Sequence, residues 1–304
     1  MLTTGRFRAL VAVTAMSGYL QVTLGGLVRV SGSGLGCPDW PTCYGKPYPP
    51  PTLHAIIEYS HRANGAVFGL LVILTVLAGF WLYRGRRTPV TWLTVATLAT
   101  VVGEGLLGWQ VVANLLAPVL VLVHLAIALL ILGLMVATYI LAGSAPATVA
   151  DRGFGRLAGA AAALTFVLLL TGSSVVATKA DEVCKSWPLC GNGLAFDFGG
   201  AAAFAMLHRL TAGAVGVFLV YVLVAALSRQ RLLAGLTLLL LAVQVALGAL
   251  VATTAEVALW QGAHIAVASA VWAGVVALAV LALRPAAAAV RDDARVSALE
   301  GRPA

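Results

Sequence analysis

The second long apolar run of the chain contains a glutamate, a histidine and an arginine, namely Glu58, His61 and Arg62. Ionisable side chains are costly inside a segment suited to lipid, so they predict a functional site. The His-Arg pair occurs again 147 residues later (208 − 61), as His208 and Arg209. A fixed offset between such pairs predicts two copies of one structural unit, each with a site of its own.

Four of the five histidines occupy matched positions: His61 pairs with His208, and His124 pairs with His264 at an offset of 140 residues (264 − 124). Each lies one to two turns after the start of a predicted helix, so all four share one depth near the outer face. A single histidine in an apolar helix is usually a hydrogen-bonded core residue. Four at repeat-related positions instead predict ligands.

Two imidazoles that face each other across a four-helix bundle are suited to haem iron, with the apolar macrocycle buried among the helices. Zinc would require three or four nearby ligands, and the cysteines lie elsewhere, in loops. Each half is therefore predicted to hold a bis-histidine haem site. Arg62 and Arg209 are predicted to pair with haem propionates; the alternative is contact with lipid phosphates.

The two halves differ at Glu58, whose repeat counterpart is Ala205. Because Glu58 precedes His61 by three residues, both share one helix face, and the carboxylate is predicted to face the group that His61 binds. This asymmetry favours a reaction at the first site, with Glu58 as its catalytic residue. The alternative is that Glu58 is a structural partner of Arg62 or orients a ligand histidine.

Glu104 is a second carboxylate in an apolar run, and its repeat counterpart is Gln244. It is predicted to form a hydrogen bond to a neighbouring helix and is a secondary candidate for the first site. Matched small residues, Gly25 with Gly172 and Gly108 with Gly248, are predicted to let helices approach closely in lipid.

The elements that carry these residues are predicted to be membrane-spanning helices. The chain has 304 residues, of which 61% are hydrophobic and only 10% charged, with a mean hydropathy of +0.98. Soluble domains carry about 25% charged residues, so the composition predicts a polytopic membrane protein. The predicted spans are 7–30, 56–82, 90–112, 118–142, 156–178, 203–227, 231–253 and 257–283.

The fold class is therefore all-α integral membrane, with eight transmembrane helices in two tandem four-helix bundles related by a pseudo-twofold axis. Residues 1–142 form the first half and 156–284 the second. Residues 143–155 are predicted to be a cytoplasmic linker, and 285–304 a cytoplasmic tail.

The net charge of +8 does not indicate nucleic-acid binding, because the arginines fall in alternate gaps between the apolar runs. That distribution follows the positive-inside rule and predicts cytoplasmic termini, with the 31–55 and 179–202 loops outside the membrane. The arginines concerned are Arg6, Arg8, Arg84, Arg86, Arg87, Arg152, Arg156, Arg229, Arg231, Arg284 and Arg291.

Each predicted outer loop contains two cysteines that flank a Trp-Pro dipeptide. Thiols oxidise outside the cytoplasm, so one disulfide is predicted within each loop, Cys37–Cys43 and Cys184–Cys190. A redox role for the first pair, passing electrons to the haem, is the alternative interpretation.

The glutamate-x-x-histidine-arginine motif, the four histidines, the paired cysteine loops and the eight-helix duplication together resemble the haem A synthase family. The resemblance covers the chain except its tail. Cysteine pairs in both loops are similar to the form found in Gram-positive bacteria. The resemblance implies a cell-membrane oxidoreductase that oxidises the ring methyl of haem O to the formyl of haem A through successive hydroxylations.

By the same resemblance, His208 and His264 would ligate a haem b cofactor. His61 and His124 would face the substrate haem O, with Glu58 beside it. A haem O synthase (protohaem farnesyltransferase) is the expected partner, together with an unidentified electron donor; the oligomeric state is left open. Two alternatives are a di-haem transmembrane b-type cytochrome that only transfers electrons, and a non-catalytic haem carrier or oxidase-assembly protein.

Overall fold

The computed structural model describes residues 2–84, 88–143, 152–191, 193–254 and 257–284. Within these ranges, eight helices are long and apolar enough to cross a membrane. The protein is therefore a multi-pass membrane protein, as its composition predicted. Most of the predicted linker, residues 144–151, and the predicted tail lie outside the described residues.

The described residues form two sets of helices. The first set is α1 (Thr4–Val30), α2 (Leu53–Leu82), α3 (Pro89–Ala113) and α4 (Pro118–Leu141). The second set is α5 (Arg152–Ala177), α6 (Ala180–Val183), α7 (Ala202–Ala226), α8 (Arg231–Thr254) and α9 (Ala258–Leu283). The eight predicted spans match the long helices to within four residues at each end.

The differences from the predicted bounds have local causes. The start of α1 lies before the apolar run because the side chain of Thr3 accepts a hydrogen bond from the backbone N–H of Arg6. Such an N-cap satisfies a donor that the helix leaves free. The short helix α6 was not predicted, since a single turn has no apolar periodicity to reveal it.

The long helices pack as two four-helix bundles. In the first, α1, α2, α3 and α4 each contact the next helix, and α4 also contacts α1. In the second, α5, α7, α8 and α9 each contact the next helix, and α9 also contacts α5. The two bundles meet where α9 packs against α1 and α4, and where α4 packs against α5. The predicted tandem bundles are thus confirmed, and the pseudo-twofold relation between them stays a prediction.

The interface between the bundles combines close packing with hydrogen bonds between helices. The indole N–H of Trp272 on α9 donates to the backbone oxygen of Leu129 on α4 at 3.0 Å. On α1, a Cβ added to Gly26 would lie only 2.6 Å from Cγ2 of Ile265 on α9. Gly26 therefore permits α1 and α9 to approach closely, as small residues do between helices in lipid.

We expect Gly26→Ala to destabilise the protein by about 1–3 kcal/mol, since the new methyl group overlaps Ile265 and overpacks the interface. Unfolding of the purified protein in detergent measures the change. In an Ile265→Ala background the same substitution should cost much less. Equal losses in both backgrounds would show that Gly26 does not act through this contact.

Candidate functional site

His61 on α2 and His124 on α4 lie close together in the first bundle, with their ring centroids 6.5 Å apart. Two imidazoles that bind one metal ion from opposite sides, with metal–nitrogen bonds of about 2 Å, have centroids about 6 Å apart. The observed separation therefore suits two axial ligands of one iron.

The environment of His61 is polar on one side only. Its Nε2 lies 3.3 Å from Nε2 of Gln21 on α1. Gln21 is held in turn by Asn64, whose Nδ2 donates to Oε1 of Gln21 at 2.8 Å. The other ring nitrogen of His61, Nδ1, is buried without a hydrogen-bond partner among the described residues. Such a group is uncommon in folded proteins and indicates a ligand-binding position.

His124 has a carboxylate as its neighbour. Oε1 of Glu104 on α3 lies 3.0 Å from Nδ1 of His124. This contact joins α3 to α4 and places Glu104 directly beside a candidate iron ligand, but it does not have the geometry of the hydrogen bond that was predicted for Glu104. Neither carboxylate oxygen has a hydrogen-bond partner in the part of the chain that the structure describes.

The histidines of the second bundle also have polar partners. Nδ1 of His208 on α7 lies 3.0 Å from Oγ1 of Thr171 on α5. Nε2 of Gln244 on α8 lies 3.1 Å from Nε2 of His264 on α9. The same amide nitrogen lies 3.2 Å from Nδ1 of His264, so Gln244, the repeat counterpart of Glu104, also lies beside the histidine of its half.

Sequence reasoning missed the partners Gln21 and Thr171. Their repeat counterparts are the apolar residues Leu168 and Leu24, so the repeat does not mark either position. The available signal was position: Gln21 lies one helical turn before Gly25, and Thr171 directly precedes Gly172.

Each of the four histidines packs against a glycine of a neighbouring helix. An added Cβ would lie 3.0–3.3 Å from Cε1 of the facing imidazole in all four cases. The four glycines are the two matched pairs found in the sequence: Gly25 faces His61, Gly108 faces His124, Gly172 faces His208 and Gly248 faces His264. These glycines therefore make room for the rings as well as for the helices.

Glu58 lies against the first cysteine loop. Its Oε2 accepts a hydrogen bond from the backbone N–H of Cys37 at 2.7 Å, and its Oε1 forms an ion pair with Arg62. Arg62 also donates to the backbone oxygens of Cys37, at 2.9 Å, and Thr42, at 2.6 Å. Glu58 and Arg62 thus fasten the loop to α2. This contact is the structural partnership that the alternative interpretation named, and the catalytic role of Glu58 stays a prediction.

The corresponding arginine of the second half is only partly engaged. Nη2 of Arg209 donates to the backbone oxygen of Cys184 at 2.9 Å, as Arg62 does to Cys37. Because Ala205 replaces Glu58, no carboxylate meets the guanidinium from that position. Nη1 of Arg209 is buried and has no hydrogen-bond partner within the described ranges.

Both predicted disulfides form, Cys37–Cys43 with Cα atoms 4.7 Å apart and Cys184–Cys190 with Cα atoms 5.1 Å apart. The Trp-Pro peptide bond inside each disulfide loop is cis. In the first loop, the carboxylate of Asp39 accepts hydrogen bonds from the hydroxyl of Thr42 and the backbone N–H of Gly45. These bonds lower the pKa of Asp39 to about 2, so its charge persists at all ordinary pH values.

The donor set suits haem better than a metal ion held by protein alone. Among the described residues, no group of three or more His, Cys, Asp or Glu side chains could hold a metal ion. A porphyrin supplies four nitrogens itself, so two axial histidines suffice. Seven buried side-chain polar atoms lack a hydrogen-bond partner in the described residues, and six of them belong to the residues of these two sites.

The fold and its sites define a class of protein: an integral membrane protein of two tandem four-helix bundles, each with two histidines that lie beside polar residues of neighbouring helices. Residues 8–276 match the model of the COX15-CtaA family, whose members are described as cytochrome oxidase assembly proteins. The match covers most of the chain, and the chain belongs to this family.

Similar proteins are named Heme A synthase. One from Alkalihalophilus pseudofirmus is 27% identical over 234 residues, which cover 74% of this chain and 78% of the relative. One from Exiguobacterium sibiricum is 28% identical and covers 71% and 72%. One from Shouchella clausii is 30% identical and covers 66% and 69%. The resemblance that the sequence motifs indicated is therefore confirmed.

We expect Gly25→Ala to weaken haem binding in the first bundle, because the added methyl group would press on the imidazole of His61 at 3.0 Å. Haem content per chain of the purified protein measures the loss. Gly103→Ala on α3 is the matched control, since an added Cβ there meets nothing within 4 Å. Full haem content in Gly25→Ala would contradict a site at His61.

Proposed function

We propose that the protein is a haem A synthase, which oxidises the ring methyl of haem O to the formyl group of haem A by successive hydroxylation within the membrane. The proposal rests mainly on His61 and His124. Their ring centroids lie 6.5 Å apart, a separation that suits two histidine ligands of one iron. Membership of the cytochrome oxidase assembly family supports the proposal, as do relatives named Heme A synthase.

We assign the substrate to the first half, residues 1–142. Haem O would bind there between His61 and His124, and haem b would bind in the second half, residues 156–284, between His208 and His264. The distribution of carboxylates supports this assignment. Glu58 and Glu104 belong to the first half, and their repeat counterparts, Ala205 and Gln244, carry no charge.

The residues of the first half would bind, orient and shield the substrate. Haem chemistry supplies the oxidation of the methyl group, and the protein supplies position and electrostatics. His61 and His124 would hold the iron and so fix where the ring methyl lies. Glu58, one turn before His61, would accept the proton released from the methyl group or from water.

The two arginines have different roles in this proposal. Arg62 keeps the first cysteine loop in place over α2, and a substrate propionate would have to compete with its bonds to the loop. Arg209 would donate from Nη1 to a propionate of haem b, because that group is buried without another partner in the described residues. Charge-assisted hydrogen bonds of this kind are among the strong ones in proteins.

We further propose that the cysteine loops face outward and both termini face the cytoplasm, as the arginine distribution predicts. A haem O synthase would deliver the substrate within the bilayer. A separate electron-transfer partner would complete the reaction.

The test of the proposed function is extraction and chromatography of haem from membranes that contain this protein and a haem O synthase. Wild-type protein should yield haem A or its hydroxylated precursor. Glu58→Gln keeps an oxygen that can accept from the backbone of Cys37 but removes the proton acceptor. We expect it to bind haem O and to lose at least 100-fold in product, the lower range for general-base catalysis.

The outcomes separate the alternatives. Product at the wild-type rate in Glu58→Gln would leave the enzyme but make Glu58 a structural residue of the loop. Untouched haem O together with haem B, in a well-folded and haem-loaded wild-type protein, would favour the di-haem cytochrome. Weak, rapidly exchanging haem in both halves would favour a haem carrier.

We expect Arg209→Gln to lower the midpoint potential of one haem, because a positive charge near a propionate favours the reduced form. Glutamine keeps a hydrogen-bond donor on the side chain but removes the positive charge. Redox titration of the purified protein measures the shift. With haem whose propionates are esterified, the variant and the wild type should differ much less; an equal difference would rule out the propionate contact.

A further inference from the structure

We propose that Glu104 is a positioning residue of the first site. It makes His124 the iron ligand that binds more strongly and dissociates less readily, and His61 the weaker ligand. This inference rests on the proposed function for the identity of the bound group, a haem. It adds a difference in ligand strength between the two histidines of the first site.

The contacts of the Glu104 carboxylate support a role in positioning His124. Its Oε1 lies 3.0 Å from Nδ1 of His124, and the side chain is only 13% exposed. Neither oxygen has a hydrogen-bond partner elsewhere in the described part of the protein. A carboxylate inside a membrane-spanning helix is costly, so it is expected to serve the polar group that it touches. That group is the imidazole of His124.

A carboxylate at this position has a known physical effect on a ligand histidine. It accepts the proton of Nδ1, which fixes the tautomer and leaves the lone pair of Nε2 for the metal. It also makes the imidazole a stronger donor.

His61 has the opposite environment. Its only polar ring contact in the described residues is with Gln21, whose Nε2 lies 3.3 Å from Nε2 of the histidine. An amide nitrogen is a donor, so it occupies the lone pair of that ring nitrogen instead of strengthening the ring as a ligand. The two histidines of the first site are therefore unequal, and His61 is the one placed to release.

The second half supplies the internal comparison. Gln244 occupies the matched position and lies 3.1 Å from Nε2 of His264. A neutral amide there leaves His264 a weaker donor than His124. The exchange of glutamate for glutamine thus distinguishes the iron sites of the two halves by charge.

Two reciprocal variants of the full-length, haem-loaded protein test the proposal. Glu104→Gln should raise the midpoint potential of one haem and weaken its binding by about 10-fold or more, as measured by haem transfer to apomyoglobin. Gln244→Glu should lower the midpoint potential of the other haem. Thr97→Val, also on α3 and fully buried, is the matched control and should change neither.

An unchanged midpoint potential and haem affinity in Glu104→Gln would overturn the proposal. If that variant does not fold, Gln244→Glu decides alone, and an unshifted potential there would overturn it. Haem A formation in the same wild-type membranes is scored separately. Its absence would contradict the proposed function, whereas the potentials and the affinity test Glu104 itself.

Discussion

Every polar side chain placed among apolar membrane helices needs a partner, and the two sites of this protein are built around that requirement. Each of the four histidines has one polar neighbour from an adjacent helix: an amide, a carboxylate, a hydroxyl and a second amide. The neighbour contacts one ring nitrogen of His61, His124 and His208, whereas Gln244 lies 3.1–3.2 Å from both ring nitrogens of His264. The facing glycines provide the space that this arrangement needs.

The same requirement links the cysteine loops to the helices. Arg62 and Arg209 each donate to the backbone of the first cysteine in their loop, at 2.9 Å in both halves. In the first half Glu58 completes the arrangement by pairing with Arg62 and the backbone of Cys37. The arginine after each histidine therefore joins the position of the loop to that of the candidate ligand. In the second half, the missing carboxylate leaves part of Arg209 available for a ligand.

Much of this architecture could be predicted from the sequence because the informative motifs occur twice, once in each half. Eight apolar runs, two cysteine pairs and four histidines at fixed offsets were enough to predict the helices, the disulfides and the pairing of His61 with His124. The comparison of halves also singled out Glu58 and Glu104. These features depend on residue type and spacing, which the sequence shows directly.

Other features depend on side-chain contacts between distant segments, and spacing alone could not reveal them. The sequence shows that Glu58 precedes His61 by three residues on α2, but it does not show that the carboxylate contacts Arg62 and a backbone N–H of the loop. Gln21 and Thr171 could not be found from the repeat, because the two halves use different residues at different positions to contact His61 and His208. The helix α6 is too short to leave a periodic signal.

The most direct test of the central claim is electron paramagnetic resonance of the oxidised, purified protein and of four single variants, one for each histidine. Two bis-histidine sites should give low-spin signals from two haems. Substituting His61 or His124 should alter one signal, and substituting His208 or His264 should alter the other. If substitutions in one half altered the signal assigned to the other, or if any of the four left both signals unchanged, the two-site arrangement would be contradicted.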